Sequence, residues 1–302
     1  MRVCFVLDCD PCKSEGGTPS VVNQIKKCTG GIVLHGSRNP LANFFLMLLL
    51  PLRISVRKCD IINIHDTHGY FYTFWPFRKK TVYTCHNLWN NYHKAMQPKT
   101  LTGVFKSKLS VFLEKRLITK SDHVTTVSES VRSQIIREYR LNPEKITAIH
   151  NGVDTRKFVA GKMGDAFIWV GDNPELKGLG KAIEYSRKKR KKLIVVGIRG
   201  RSTKNVEYIG KVGNDEMPGI YLMADTLLFF SKTEGHPLVP LEAAACGLNI
   251  IANKESNLEI FPLRKGIYSI KSKDAIKTAK RYDWNKRTIL HKKLFMKILE
   301  TK

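Results

Sequence analysis

The sequence predicts an α/β protein of two doubly wound domains, each a parallel sheet covered by helices on both faces. Three observations carry this. Short β-branched runs alternate with amphipathic or loop-like stretches. The runs are apolar enough to be strands buried on both sides, as in sheets sandwiched between helices. The alternation also begins afresh near the middle of a 302-residue chain, which is long enough for two compact domains.

The first series of expected strands is "RVCFVLD", "GIVLHG", "DIINIHD", "KTVYTCHN", "HVTTVSE" and "ITAIHNG". After the first strand, Thr18 is the expected N-cap of a helix with Pro19 at its first position. The apolar run Leu41 to Leu52 is too short to span about 30 Å of hydrocarbon and reads as a buried or interfacial helix. A polar, glycine-containing stretch from Phe158 to Gly164 separates the two series, so the boundary is placed at 160/161. "AFIWVGD", "KLIVVGI", "NVEYIGK", "DTLLFFSK" and "NIIANK" then form the second series. The chain ends in a helix with Ile289, Leu290, Leu294, Phe295 and Ile298 as its expected apolar stripe.

Composition narrows the partners. With 42% hydrophobic residues the chain is globular, and a net charge of +26 requires something negative nearby: nucleic acid, anionic lipid or a phosphorylated small molecule. The N-terminus reads as a strand rather than a secretory signal, so a cytoplasmic location is expected. Seven scattered cysteines do not form a secreted disulfide framework. Cys9 and Cys12 are expected to be a local disulfide or simple thiols, because a zinc site needs a second ligand pair.

Ligands of open α/β sheets bind beyond the C-terminal ends of the strands, which selects the loops to read. Gly16 and Gly17 precede a helix, where backbone amides approach an anion closely; a glycine pair is also an ordinary turn. Lys177, before the helix that follows "GDNPELKG", suits a phosphate at a helix N-terminus, although a solvated lysine is the plainer reading. In "EGHPLVPLEAAACG", Glu234 falls in a post-strand loop and Glu242 about one turn into the next helix. Acids there complement the helix dipole. The small, apolar residues between them admit close approach of a ligand, and carboxylates suit vicinal hydroxyls of a ribose or a sugar.

These stretches together resemble the retaining glycosyltransferases of family 4, which have the GT-B fold of two facing Rossmann-like domains with an interdomain cleft. The resemblance runs in order through "VTTVSESVRSQI", "ITAIHNGVDTRKF", "VGDNPELKG", "NVEYIGKV" and "EGHPLVPLEAAACGLNIIA", the last similar to the family's E-x7-E signature. It implies a donor-binding domain at 161–283 and an acceptor-side domain at 1–160 on which the helix 284–302, with Trp284, packs back. It also implies roles. Glu242 holds the ribose of a nucleotide sugar, Glu234 the transferred hexose and Lys177 the diphosphate. Backbone amides around Gly235, His236, Pro237, Leu238 and Val239 approach the distal phosphate, with Gly16 and Gly17 facing it. His86, at the end of "TVYTCHN", corresponds to a histidine near the sugar, so Glu234, His86 and Lys177 are the expected catalytic residues. A retaining hexosyl transfer is implied, with a UDP- or GDP-linked co-substrate, a glycan, lipid-linked or protein-linked acceptor, and neither metal nor other cofactor.

One departure matters. Family members carry a basic residue where this chain has Asp172, and Arg199 and Arg201 after the next strand are expected to supply the missing charge. Asp172 also keeps open a catalytically degenerate GT-B protein that binds sugar or nucleotide without turnover. The basic run Ser186 to Lys192 keeps open nucleic-acid binding, though no reading module accompanies it. Basic aromatic segments in the first half, "FYTFWPFRKK" and "FKSKLSVFLEKRLITK" among them, suit peripheral contact with an anionic membrane on its cytoplasmic face.

Overall fold

A computed structural model describes residues 1–11, 16–37, 39–262 and 268–301. Cys12 lies outside them, and with it the expected pairing with Cys9. The chain divides into two compact units, Met1–His150 with Asn285–Lys302, and Asn151–Trp284.

In the first unit, strands β1 (Val3–Leu7), β2 (Ile32–His35), β3 (Ile61–Ile64), β4 (Lys80–Cys85), β5 (His123–Thr126) and β6 (Ile146–Ala148) form a parallel sheet of order β2-β1-β3-β4-β5-β6. All five residues of β1 are fully buried. Cys4 and Val6 join a core with Ile62, Ile64, Tyr83, Leu117 and Ile135. Their neighbours in β1 point the other way, so both faces of the sheet are covered. The helices are α1 (Gly17–Thr29), α2 (Pro40–Leu48), α3 (Leu50–Ser55), α4 (Trp89–Met96), α5 (Leu101–Lys120) and α6 (Glu129–Tyr139).

Two expectations shift here. Helix α1 starts at Gly17, not Pro19: Gly16 takes the N-cap and Pro19 sits at the third helical position. A proline is tolerated there because first-turn amides have no partner within the helix. The apolar run Leu41 to Leu52 is two short helices. Asn39 caps α2 by accepting from the Leu41 and Ala42 amides, and the chain re-enters a helix at Leu50.

No residue of α2 is buried. Phe44 and Phe45 are 50% and 52% exposed. Edge-to-face ring contacts run from Phe45 to Phe44, on to Phe71 and Tyr70 of the 3₁₀ segment Thr67–Phe74, and then to Phe74. Tyr70 also meets Phe112 of α5, so three elements share one aromatic surface strip.

Glu114, the one acid of α5, points inward and is 1% exposed, accepting from the Trp89 amide at 3.1 Å and Tyr83 Oη at 3.4 Å. Burial raises its pKa to about 8. The folded protein therefore holds a proton that the unfolded chain releases near pH 4.5, and stability falls as pH rises between the two values. Glu114→Gln, which keeps an acceptor for the Trp89 amide, is expected to flatten that decline and to gain on the order of 2 kcal/mol above pH 8. Denaturant titrations at pH 5 and 8.5 check it; parallel pH dependence in parent and variant would contradict it.

In the second unit, β7 (Phe167–Val170), β8 (Leu193–Val196), β9 (Val206–Gly210), β10 (Thr226–Phe229), β11 (Asn249–Ala252) and β12 (Tyr268–Ile270) take the order β12-β11-β10-β7-β8-β9. All pairs are parallel except β11 with β12. The three-residue β12 is too short to show a period and was not among the expected strands. Ile168, Leu227 and Ile250 face one core, whereas Phe167, Trp169, Leu193 and Leu228 face another. Helices α7 (Leu179–Lys189), α8 (Met217–Leu222), α9 (Leu238–Ala245) and α10 (Ser272–Arg281) accompany the sheet, and α11 (Trp284–Glu300) follows.

The division falls at 150/151, ten residues before the expected boundary at 160/161. Residues 151–160 are tied to the second unit: Val153 bridges to Asp283, and Thr155 Oγ1 donates to Asp283 Oδ2 at 2.5 Å. The stripe of α11 is also rotated from expectation. Thr288, His291, Phe295 and Ile298 are buried, while Ile289 and Leu290 are exposed. Ranking by hydrophobicity conceals Thr288 and His291, which share the buried face at helical spacing.

Candidate functional site

Strand order reverses between β7 and β10 in the second sheet, and the loops after these neighbouring strands lie at the C-terminal edge, where open α/β sheets take their ligands. Those two loops carry Lys177 and Glu234. Lys177 Nζ lies 2.6 Å from Glu234 Oε1, and Ser231 Oγ donates to the same oxygen at 2.6 Å. Only 9% of the Glu234 side chain is exposed, which strengthens its pairing with the lysine.

Backbone geometry brings them together. Gly178, the N-cap of α7, has φ +69°, and a Cβ there would sit 2.2 Å from the Phe230 carbonyl oxygen. The post-β7 loop thus packs directly on the end of β10, and the Lys232 amide donates to the Leu176 carbonyl at 2.8 Å. Asn257 Nδ2 donates to the Glu234 and Gly235 carbonyls, and Asn151 Nδ2 to the His236 carbonyl at 2.7 Å. The turn from 234 to 236 is therefore pinned from two sides.

Helix α9 begins with Pro237 as N-cap and no side chain capping it. Its first amides, those of Leu238 and Val239, have no acceptor within the helix, and Pro237 itself has no N–H to offer. Glu242 accepts from Tyr221 Oη at 2.8 Å through Oε2, and Oε1 bonds to no described residue. Burial raises the Glu242 pKa, and the Tyr221 hydrogen bond works against that shift. Arg199 and Arg201 follow β8, next to β7, and are exposed, as is Asp172. No ion pair among the described residues joins either arginine to Asp172.

In the first unit the reversal lies between β1 and β3. Gly16 and Gly17 are exposed at the uncapped start of α1, and a Cβ at either would meet no contact closer than 3.7 Å. Nothing in the unit's own packing demands glycine there. His86 follows β4 directly and is half-buried, with its Nε2 2.9 Å from Nδ1 of His65, which follows β3. Burial pushes the His86 pKa down to about 4. His65 is held well below the ordinary imidazole value by burial first, then by His86 and His291. His291 falls to about 3 through burial, Arg287 and His86.

Ser231, Asn257, Asn151 and Tyr221 around the acids, and Asn63, His65 and His291 around His86, were not expected from sequence. For His65 a signal existed: "INIHD" and "YTCHN" each place a histidine immediately after a buried strand. Among the described residues, no cluster of three or more His, Cys, Asp and Glu is suited to a metal.

Two Rossmann-like parallel-sheet units with this loop chemistry define a protein of the GT-B class. The family model described as Glycosyltransferase Family 4 matches residues 15–157, and that described as Glycosyl transferases group 1 matches 173–284. The chain belongs to the family 4 type of GT-B glycosyltransferases. A curated relative, the O-antigen chain mannosyltransferase RfbU of Salmonella typhimurium, is 25% identical over 158 residues, 47% of this chain and 45% of that protein. The match thus spans less than half of the relative's length. Among solved structures, a sucrose-phosphate synthase from Thermosynechococcus elongatus is similar with TM-score 0.84 at 13% identity, covering 100% of both chains. Anabaena HepE in complex with UDP is similar with TM-score 0.70 at 14% identity, covering 98% of this chain and 100% of that one. At such identities the likeness is one of fold.

Proposed function

We propose that the protein is a retaining glycosyltransferase that moves a hexose from a UDP- or GDP-linked donor to a glycan, lipid-linked or protein-linked acceptor. The observation that carries this reading is the convergence of Lys177, Ser231 and Glu234 at the β7/β10 switch point, beside the uncapped start of α9. The family membership, the mannosyltransferase relative and the UDP bound to the Anabaena neighbour support it.

In this reading Lys177 exchanges its carboxylate partner for the donor's diphosphate. Glu234, released, takes hydroxyls of the hexose while Ser231 keeps its orientation. The Leu238 and Val239 amides meet the distal phosphate, and the open oxygen of Glu242 takes the ribose. Arg199 and Arg201 add positive charge against Asp172; in the first unit, Gly16 and Gly17 offer amides to an anion and His86 meets a hydroxyl. Lysine and amides stabilise charge on the departing nucleoside diphosphate, the role a metal plays elsewhere, so turnover is expected to persist in chelator.

Thermal-shift titration with nucleoside diphosphates, followed by transfer assays with UDP- and GDP-sugars and anomeric analysis of the product, tests this. Binding without nucleotide release from any donor would favour the degenerate alternative, for which Asp172 is the motive. Glu242→Ala is expected to weaken nucleoside diphosphate binding about 10- to 100-fold, the worth of hydrogen bonds to a charged acceptor. Unchanged affinity would remove Glu242 from the ribose.

A membrane surface completes the reading. Residues 39–112 contain ten Lys and Arg against Asp60 and Asp66 alone, and the strip of Phe44, Phe45, Phe74 and Phe112 lies in this stretch. No described helix is long and apolar enough to cross a bilayer. Exposed rings within a basic surface suit insertion among anionic headgroups, each cation adding about 1 kcal/mol. Flotation with anionic vesicles at low salt is expected, with loss in Phe44→Ser/Phe45→Ser. Equal recovery with zwitterionic vesicles, or none with anionic ones, would refute the contact.

A further inference from the structure

The polar groups at the C-terminal ends of β3, β4 and β5 are wired in one direction. Asn63 is fully buried within β3, and its Nδ2 donates to the Val82 carbonyl at 3.1 Å and to Thr84 Oγ1 at 2.8 Å. A backbone carbonyl only accepts, so the amide cannot be turned over. Thr84, accepting from Asn63, has its own hydrogen for Thr125 Oγ1 at 2.7 Å. Asn63 Oδ1 is then the acceptor facing His65 Nε2 at 2.7 Å, and His65 Nε2 carries a hydrogen. His65 is 4% exposed, and the groups facing it, His86 and His291, are themselves imidazoles kept neutral by burial. A neutral His65 with hydrogen on Nε2 offers only a lone pair at Nδ1. His86 Nε2, 2.9 Å away, must donate to it.

We propose that Asn63 and His65 are positioning residues that lock His86 in its Nε2–H tautomer, so that His86 Nδ1 presents an unprotonated acceptor to a ligand hydroxyl. That nitrogen bonds to no described residue. A residue serving only to fill the end of β4 would be indifferent to tautomer, whereas a hydroxyl that donates to His86 requires Nδ1 bare. The identity of the hydroxyl as one on a sugar rests on the glycosyl-transfer reading; the tautomer does not.

Histidine ring nitrogens of the ¹⁵N-labelled full chain, observed through long-range proton–nitrogen correlations at pH 7, test it. The parent is expected to show His86 with Nε2 protonated and Nδ1 bare. In Asn63→Asp both side-chain oxygens accept, the carboxylate stabilises a doubly protonated His65, and His86 must accept at Nε2, so its hydrogen is expected to move to Nδ1. His65→Gln can still accept from His86 and donate to Asn63, and is expected to keep the parent tautomer; His65→Leu is expected to leave the two tautomers mixed. With a donor that turns over, kcat should follow the tautomer, roughly 3- to 10-fold lower in His65→Leu, the worth of one hydrogen bond, and near parent in His65→Gln. Hydrogen on Nδ1 of His86 in the parent, or a tautomer unmoved in both Asn63→Asp and His65→Leu, overturns the proposal. Should Asn63→Asp fail to fold, the Leu and Gln pair decides. The spectra need neither donor nor acceptor, so they read the same whether or not transfer is detected.

Discussion

Lys177→Ala is expected to lower kcat/KM for the donor by about 100- to 1000-fold, the usual loss when one preorganised electrostatic group leaves an active site. Two effects combine in that variant. The diphosphate loses its cation, and Glu234, 9% exposed, loses a partner 2.6 Å away and retains Ser231. A carboxylate left buried without its counter-charge destabilises the fold, so lost activity alone would not separate catalysis from stability. The double variant Lys177→Ala/Glu234→Gln does. It removes the stranded charge while leaving an acceptor for Ser231, and is expected to recover the thermal stability but none of the donor affinity. Recovery of both in initial-rate measurements would mean that Lys177 serves Glu234 and not the diphosphate.

Gly178→Ala is expected to be strongly destabilising although it adds a single methyl group. The left-handed backbone at φ +69° costs an alanine roughly 1 kcal/mol. The added Cβ would also lie 2.2 Å from the Phe230 carbonyl, a backbone atom with no rotamer to yield. The loop must then lift off the end of β10, carrying Lys177 from Glu234. A loss of about 3 kcal/mol or more is expected, lowering Tm by roughly 10 °C in a unit of this size. Gly180→Ala, two residues on within α7, is the control: nothing lies within 4 Å of its added Cβ, and a gain of up to about 1 kcal/mol is expected. Equal melting temperatures for the two variants would show that the loop accommodates the methyl group.

The sequence was most readable where burial is two-sided. Runs such as "RVCFVLD" and "DTLLFFSK" have no polar face, so they could only be central strands, and the alternation with helices then predicted the doubly wound sheets. It was less readable where local preference yields to packing. Nothing in "KGIYSI" marks an antiparallel edge strand, because β12 is specified by its partner β11 rather than by its own period. The site divides similarly. Lys177, Glu234 and Glu242 stood out as charged groups in loops and helix starts beside strands. Asn63, Ser231 and Tyr221 did not: Asn63 and Tyr221 are unremarkable until the fold brings each within 3 Å of a partner 21 positions away, and Ser231 until its loop turns it onto Glu234. The tautomer of His86 belongs to this second kind, since it follows from which atom of Asn63 faces a carbonyl.

The first unit is interrupted in the chain: β6 ends at Ala148, and the residues that complete the unit begin at Asn285. A ribosome moving at about 5–20 residues per second needs roughly 7 to 30 seconds to make the intervening second unit. During that interval the nascent first unit waits without α11, with His65 and His86 uncovered on the side His291 will occupy. Completion of the first unit is thus deferred until the segment 285–302 has been made, although all six of its strands are present long before.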